Sequence, residues 1–148
     1  MSPANPTLRG SYEMIYVYSK KTLAGRYLSD GEYKADISSD EFMKATLDVW
    51  NDIGTVSNNI TRGSGEYLGT HPAPFPTRLA QRLIQLYSYP GMMVLDPFLG
   101  SGTTGLAASQ LNRDWIGIEI SQSYAEMAQD RIPLFPGLNV PTLEVWDV

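Results

Sequence analysis

Glycines and carboxylates in the second half of the sequence form the pattern with the clearest chemical meaning. Gly100, Gly102 and Gly105 occupy the glycine positions of the pattern G-x-G-x-x-G. Glycine lets a backbone approach a ligand closely. Asp96 precedes this loop, and Glu119 follows it at about the spacing of an acid that accepts ribose hydroxyls. The pattern therefore predicts a site for a ligand that contains a nucleoside.

The charges around the glycine loop help to identify that ligand. The carboxylate of Asp96 would repel a pyrophosphate and attract the ammonium and sulfonium groups of S-adenosylmethionine (SAM). No lysine or arginine lies between Asp96 and Gly105, so the phosphate-binding lysine of a P-loop is missing. These charges favour SAM. A nicotinamide dinucleotide, bound by an oxidoreductase, stays open as an alternative on the glycine spacing alone.

Two strands and two helices are predicted to position the loop. Residues 92–95 are apolar at every position, which is typical of a strand covered on both faces of a parallel sheet. Residues 115–120 form a second strand, with helices at 103–111 and 121–132. Strand, helix, strand and helix in this order predict a βαβ unit and the α/β class.

The first half of the chain has weaker patterns. Residues 1–10 are an irregular lead-in, residues 12–18 favour a strand, and a second strand near 33–37 would complete a loose hairpin. Ser38 and Glu41 form a capping box that starts a helix at 40–49. We expect its inward face to hold Phe42, Ala45, Thr46 and Val49.

The middle of the chain is predicted to be a loop over residues 51–76, followed by a helix. Residues 51–70 are polar and contain glycine, and three prolines in residues 71–76 prevent regular structure. Leucines then recur at helical spacing, so we expect an amphipathic helix over residues 77–88. One more strand is possible at residues 142–145.

Two segments carry a resemblance to a known family. Residues 96–104, Asp-Pro-Phe-Leu-Gly-Ser-Gly-Thr-Thr, resemble motif I of bacterial DNA methyltransferases that act on adenine N6 or cytosine N4. Residues 71–76, His-Pro-Ala-Pro-Phe-Pro, resemble motif X, and residues 115–121 with Tyr124 and Arg131 resemble motif II. Residues 48–50, Asp-Val-Trp, also match a short segment that these proteins often carry. Motif X precedes motif I, as in the permuted β group of the family.

The resemblance implies roles for individual residues. Asp96 and the backbone of residues 100–102 would hold the methionine part of SAM, with Thr103 or Thr104 near its carboxylate. Glu119 would accept the ribose hydroxyls. The remaining predicted contacts to the cofactor are Ile120 on the adenine, His71 and Phe75 closing the pocket, and Phe98 and Ser101 in the loop. No metal site is expected.

The resemblance also implies a part that the sequence does not contain. The family holds the flipped target base with motif IV, Asp/Ser-Pro-Pro-Tyr/Phe, and the chain has no Pro-Pro pair. No catalytic residue is therefore identified. The predicted fold is a partial class I SAM-dependent methyltransferase (Rossmann-like) fold that lacks the central motif IV strand, in a single domain over residues 1–148. We expect this domain to be the C-terminal part of a larger methyltransferase or one half of a split one.

Composition restricts the partners. Eleven Lys and Arg face sixteen acids, a net charge of −5, so the main DNA contacts are expected outside this chain. A polypeptide that carries motif IV could complement it, or the chain could form a homo-oligomer. Alternatively it is a catalytically silent SAM-binding or assembly module. No cysteine and no bilayer-length apolar run occur, which predicts a cytoplasmic protein without membrane contact.

Overall fold

A computed structural model describes residues 13–20, 34–54, 56–57, 59–61, 65, 67–71 and 73–132. The chain divides after Glu32 into two compact units, so residues 13–20 are considered apart from the rest. The predicted lead-in at 1–10 and the predicted strand at 142–145 lie outside the described residues. Because much of the first unit lies outside them too, the single domain stays a prediction.

Residues 13–20 have no regular secondary structure, so the strand predicted at 12–18 is wrong for its described part. The side chains of Met14, Tyr16 and Tyr18 are exposed. In the second unit, residues 34–37 are not a strand either. Aromatic and β-branched residues favour strands only where a neighbour completes the hydrogen-bond ladder, and these described residues have no such ladder.

The first helix, α1, runs over Ser39–Ala45 and begins with the predicted capping box. The Ser38 hydroxyl accepts from the Glu41 N–H at 3.3 Å, and the Glu41 carboxylate accepts from the Ser38 N–H at 3.4 Å. The helix ends earlier than predicted, and at its C-cap the Thr46 hydroxyl donates to the Phe42 carbonyl at 3.1 Å. Of the predicted inward face, Ala45 is buried, whereas Phe42, Thr46 and Val49 are exposed.

A short hairpin replaces part of the loop predicted at residues 51–70. Strands β1 (Asn59–Thr61) and β2 (Tyr67–Thr70) pair antiparallel, with Ile60 opposite Gly69 and a register shift after Ile60. Ile60 is 3% exposed. The polar composition concealed this hairpin, because one buried isoleucine in a three-residue strand leaves no periodic signal.

The predicted βαβ unit is present, and the α/β class is confirmed. Helix α2 (Thr77–Tyr87) precedes β3 (Met93–Asp96), and α3 (Thr103–Gln110) connects β3 to β4 (Asp114–Gly117). Helix α4 (Gln122–Arg131) follows. The two strands are parallel, and their register runs from Met93 opposite Asp114 to Asp96 opposite Gly117.

Small side chains allow the helices to approach the sheet closely. Ala107 and Ala108 of α3 are fully buried and pack with Ala80 and Ile84 of α2 against one face of the sheet. A second cluster joins Leu99 of the glycine loop to Ala128 and Ile132 at α4. Partly buried sheet and helix residues that line these clusters are Val94, Leu106, Leu111 and Trp115. The glycine loop lies at the edge of this core, between the carboxyl end of β3 and the start of α3.

The opposite face of the same sheet is open in the described part of the chain. Met93 and Leu95 of β3 are 58% and 60% exposed, and Ile116 of β4 and Ile118 just after this strand are also exposed. The prediction that residues 92–95 are covered on both faces is therefore wrong here. Apolar residues on both faces indicate that both can be buried, but the second face is covered only where another layer packs on it.

The segment before α1 is fixed to the sheet by a buried arginine. The Arg113 side chain has no exposed surface and forms a two-pronged ion pair with the carboxylate of Asp36. It also donates to the Ser88 carbonyl at 2.8 Å and the Leu111 carbonyl at 2.7 Å. None of the described helices is both long and apolar enough to cross a bilayer.

Candidate functional site

The glycine loop continues the pairing of the two parallel strands. The Ile118 N–H donates to the Asp96 carbonyl at 2.9 Å, and the Leu99 N–H donates to the Ile118 carbonyl at 2.9 Å. One carboxylate oxygen of Asp96 accepts from the Phe98 N–H at 2.9 Å, which holds the turn. This bond occupies one oxygen of Asp96, so the second oxygen remains available to a cationic group.

Two loop positions need glycine because of their backbone conformation and because each has a close neighbour. Gly100 and Gly102 have φ of 55° and 85°, in the region that L side chains avoid. A Cβ at Gly100 would lie 3.0 Å from Nε2 of His71, and a Cβ at Gly102 would lie 2.9 Å from the Cβ of Ala128. The loop is therefore held between residue 71 on one side and α4 on the other.

Glu119 connects the end of the second strand to the loop. Its Oε2 accepts from the Gly100 N–H at 2.7 Å, and its Oε1 accepts from the Ser121 N–H at 2.8 Å. A carboxylate offers about four acceptor sites, so both oxygens keep capacity for further donors. The half-buried carboxylate is thereby fixed in orientation beside the loop.

His71, the histidine of the predicted motif X, lies against the glycine loop. The sequence alone could not show this contact. His71 Nδ1 accepts from the Ala73 N–H at 3.2 Å. This bond leaves the proton of a neutral imidazole on Nε2, the atom that faces Gly100. The ring also packs on Tyr124 of α4, with centroids 5.0 Å apart and planes inclined by 48°.

Phe75, the other residue predicted to close the pocket, lines a separate cavity. This cavity of about 180 Å³ lies between the β1 strand, the start of α2 and Arg131 of α4. Thr77, Asn59 and Thr61 contribute polar groups to the same cavity. The hairpin that the sequence did not predict therefore forms one wall of the region that contains Phe75.

Two large apolar side chains stand in solvent at the carboxyl ends of the strands. Phe98 is 87% exposed and Ile120 is 82% exposed. Exposed apolar groups beside oriented polar groups are typical of a binding surface. Thr104 is half-buried at the start of α3, whereas Ser101 and Thr103 are buried.

Arg131 is predicted only as part of the resemblance to motif II, without a function of its own. Its Nη1 donates to the Thr103 hydroxyl at 2.9 Å and to the Ser101 carbonyl at 3.2 Å. Burial lowers the pKa of Arg131 below its ordinary value. Its position ten residues after Ser121 would have suggested only an exposed cation near a helix C-terminus.

Another arginine fixes the segment that precedes the hairpin. Arg82 of α2 binds both carboxylate oxygens of Asp52, at 2.9 and 2.7 Å, and lies 5.0 Å above the ring of Trp50. The Arg82 hydrogen bonds lower the pKa of Asp52 to about 2. Trp50 also donates through Nε1 to the Ala45 carbonyl at 3.1 Å. These contacts tie residues 50–52 to α1 and α2.

The structure thus brings His71, Gly100 and Glu119 together. On the buried side of the loop, Ser101 and Thr103 both accept hydrogen bonds from Arg131. The described residues contain no group of three or more His, Asp or Glu side chains arranged to hold a metal ion. The arrangement is suited to binding a ligand that offers cationic groups to Asp96, hydroxyls to Glu119 and an apolar ring to Phe98 or Ile120.

The chain is similar to bacterial and archaeal DNA methyltransferases. The model of the DNA methylase family N6_N4_Mtase matches residues 1–130. The type II methyltransferase M.SmaI of Serratia marcescens is 39% identical over 82% of this chain and 38% of its own length. M.MthZI of Methanothermobacter thermautotrophicus is 33% identical over 89% of this chain and 37% of its own length. The chain thus spans about two fifths of these relatives.

A solved structure agrees in fold. TTHA0409 of Thermus thermophilus, described as a candidate DNA modification methylase and crystallised with SAM, superposes with a TM-score of 0.53. It is 32% identical, and the match covers 76% of this chain and 39% of that protein. The permuted order and the separate motif assignments stay predictions. The family-model match over most of the sequence and the identity to M.SmaI show that this chain belongs to the DNA methylase family.

Proposed function

We propose that this chain binds SAM and supplies the donor-binding portion of a DNA methyltransferase that acts on the exocyclic amine of adenine (N6) or cytosine (N4). The observation that carries this proposal is the joint geometry of the loop, in which Glu119 and His71 both lie at Gly100. The family match supports the reaction. The SAM complex of TTHA0409 supports the cofactor.

The residues around the loop fit the parts of SAM. The free oxygen of Asp96 suits the ammonium group, because opposite charges attract strongly where little water intervenes. The remaining acceptor sites of Glu119 suit two ribose hydroxyls. Phe98 and Ile120 are exposed apolar surfaces that an adenine ring would cover.

The other residues predicted to contact SAM differ in how well their positions suit that role. Thr104 is the better candidate for the methionine carboxylate, because it is half-buried whereas Thr103 is only 4% exposed. His71 would close the site through Nε2. Phe75 would border it from the cavity beside α2. Gly102 and Ser101 would contribute through the backbone conformation of the loop, because the Ser101 side chain is buried and faces away from solvent.

SAM supplies an electrophilic methyl group on a sulfonium. The chain's own residues would orient that group and exclude water from it, whereas the base amine must be held by residues of motif IV type. The acidic sequence and the absence of a Pro-Pro pair support placing the acceptor base and most DNA contacts on other residues.

A complementing polypeptide that carries motif IV is part of the proposal. The relatives are more than twice as long as the part they share with this chain. The open sheet face at Met93, Leu95 and Ile116 offers an apolar surface for a further layer. The second candidate is a catalytically silent SAM-binding or assembly module.

Titration calorimetry of the purified chain with SAM, and in parallel with NAD, tests the ligand. We expect heat of binding with SAM only, and binding of NAD without SAM would reject the assignment. Transfer of labelled methyl from SAM to mixed-sequence DNA then tests the reaction. The chain would be assayed alone and together with the part of M.SmaI outside the matched segment. Transfer only in the mixture supports the split enzyme, and SAM binding without transfer in either assay supports the silent module.

A Leu95→Lys variant tests the proposed packing surface in the same mixture. We expect it to bind SAM but to lose association with the M.SmaI segment, because a charge would be buried against apolar side chains. Met43→Lys, at an equally exposed apolar residue of α1, is the matched control and should associate normally. Equal association by both variants would exclude this face as the packing surface.

A further inference from the structure

The last residue of α4 reaches the rear of the glycine loop. Nη1 of Arg131 lies 2.9 Å from the Thr103 hydroxyl, 3.2 Å from the Ser101 carbonyl and 3.4 Å from the Ser101 hydroxyl. Ser101 and Thr103 are 3% and 4% exposed. One guanidinium nitrogen therefore serves two residues that lie on either side of Gly102.

The environment of this guanidinium is costly for a charge. Burial lowers the pKa of Arg131, so the surroundings disfavour its ionised form. The acceptors in the loop are uncharged oxygens, and hydrogen bonds to a charged donor offset part of the desolvation cost. If packing alone were needed at this position, an apolar side chain of similar length would satisfy it at lower cost.

The two ends of the loop are held by different elements. At its first glycine, the Gly100 N–H donates to Glu119 beyond β4. At its second glycine, the flanking residues Ser101 and Thr103 accept from Arg131. Gly102 has φ of 85° and is the N-cap of α3, with no side-chain capping bond. The Gly102 N–H itself donates to the Leu99 carbonyl at 3.0 Å, so the hydrogen bonds to Arg131 add a second restraint on the residues that begin α3.

We propose that Arg131 is a positioning residue of the donor site. It fixes Ser101 and Thr103 from behind, and it thereby holds the backbone of residues 100–104 in the conformation that receives SAM, without touching SAM itself. This role rests on the proposed function, since it presupposes that the loop binds SAM. It assigns to the end of α4 a task that is separate from the packing of Ala128 and Ile132 in the core.

SAM affinity of Arg131→Met and Arg131→Lys, measured by titration calorimetry, tests the proposal. Arg131→Met should weaken binding about tenfold to a hundredfold, the usual range for loss of hydrogen bonds to a charged group. Arg131→Lys should recover part of the affinity because an ammonium can still reach one acceptor. Arg78→Met removes an exposed arginine of α2 and should bind SAM like the wild type.

Two further measurements separate positioning from folding. In a cycle with Thr103→Val, the losses of the two single variants should not add, because both remove the same hydrogen bond. Amide hydrogen exchange without SAM should accelerate at residues 100–104 in Arg131→Met and stay unchanged in β3. Unchanged SAM affinity, strictly additive losses or uniformly faster exchange would each overturn the proposal. Failure of the wild type to bind SAM would contradict the proposed function itself, and this role with it.

Discussion

Glu119 accepts a 2.7 Å hydrogen bond from the backbone N–H of Gly100, and this single contact joins positions that are 19 residues apart. The same carboxylate accepts from the Ser121 N–H at the entry to α4. The acid predicted to bind a ribose is therefore also the residue that holds the first glycine of the loop. Its side chain is oriented by the backbone before any ligand arrives, which lowers the ordering cost of binding.

Replacing Glu119 should show both of these tasks. Glu119→Ala removes the acceptor for Gly100 and for the ribose, and we expect SAM to bind about tenfold to a hundredfold more weakly. Glu119→Gln keeps one acceptor oxygen and should lose less. Titration calorimetry gives the affinities, and Glu126→Gln on the exposed side of α4 serves as the control. Equal binding by Glu119→Ala and the wild type would remove Glu119 from the site.

Asp96 tests the choice of SAM over a neutral or anionic ligand. Asp96→Asn keeps an oxygen that can accept from the Phe98 N–H but abolishes the negative charge. SAM affinity should fall by at least about tenfold, because the attraction for the ammonium group is lost. Adenosine, which carries no ammonium group, should bind both proteins alike. An unchanged SAM affinity would reduce Asp96 to a residue that only shapes the turn.

Gly102→Ala should damage the fold as well as the site. The added methyl group would lie 2.9 Å from the Cβ of Ala128, at a φ of 85°. The left-handed conformation costs an alanine about 1–2 kcal/mol, and overpacking adds about 1–3 kcal/mol. Urea unfolding should therefore show a free energy of unfolding lower by about 2–5 kcal/mol.

Gly54→Ala is the matched control for that variant. Apart from its own chain neighbours, no heavy atom lies within 4 Å of the position that its Cβ would take. We expect a change within about 0.5 kcal/mol, as for most substitutions away from packed or strained positions. A similar loss in both variants would mean that Gly102 is not specially constrained.

The ion pair between Asp52 and Arg82 should make stability depend on pH in the acid range. The pKa of Asp52 is lowered from 3.8 to about 2, first by its hydrogen bond with Arg82. A lowered pKa stabilises the fold above the unfolded value, and that contribution disappears as the pH falls through the folded value. Asp52→Asn should therefore melt at a lower temperature than the wild type at a pH of about 6.

The difference between the two proteins should shrink between pH of about 4 and pH of about 2 and vanish below that range. Thermal melts followed by circular dichroism at a series of pH values would measure it. Asp48→Asn, which removes another carboxylate from the same segment, is the control for the general effect of losing an acid. A constant difference between wild type and Asp52→Asn across this range would show that the pair contributes nothing through its ionisation.

Local chemistry made several elements predictable. The capping box at Ser38 and Glu41 is present because its two hydrogen bonds lie within one helical turn. Helix α2 and the βαβ unit follow from leucine spacing, an apolar run and the closely spaced glycines between strand and helix. In each case the deciding residues are close in sequence, so their types and spacing contain the necessary information.

Other predictions failed because the deciding contact is distant in sequence. A strand at 12–18 needed a neighbour that its composition could not supply, and the hairpin of β1 and β2 depends on burying Ile60. The exposure of Met93 and Leu95 likewise depends on whether a second layer packs on the sheet. Apolar character shows that a residue can be buried, but it does not name the surface that buries it.

The sequence by itself determined the glycine loop, the acids Asp96 and Glu119 near the ends of the two strands and, through a resemblance, the methyltransferase family. Only the tertiary structure decided that Glu119 and His71 meet at Gly100, and that Arg131 lies behind Ser101 and Thr103. The physical reason is the range of the interactions. Turn and cap preferences act over a few residues, whereas these contacts exist only after α3 and α4 have packed against the sheet.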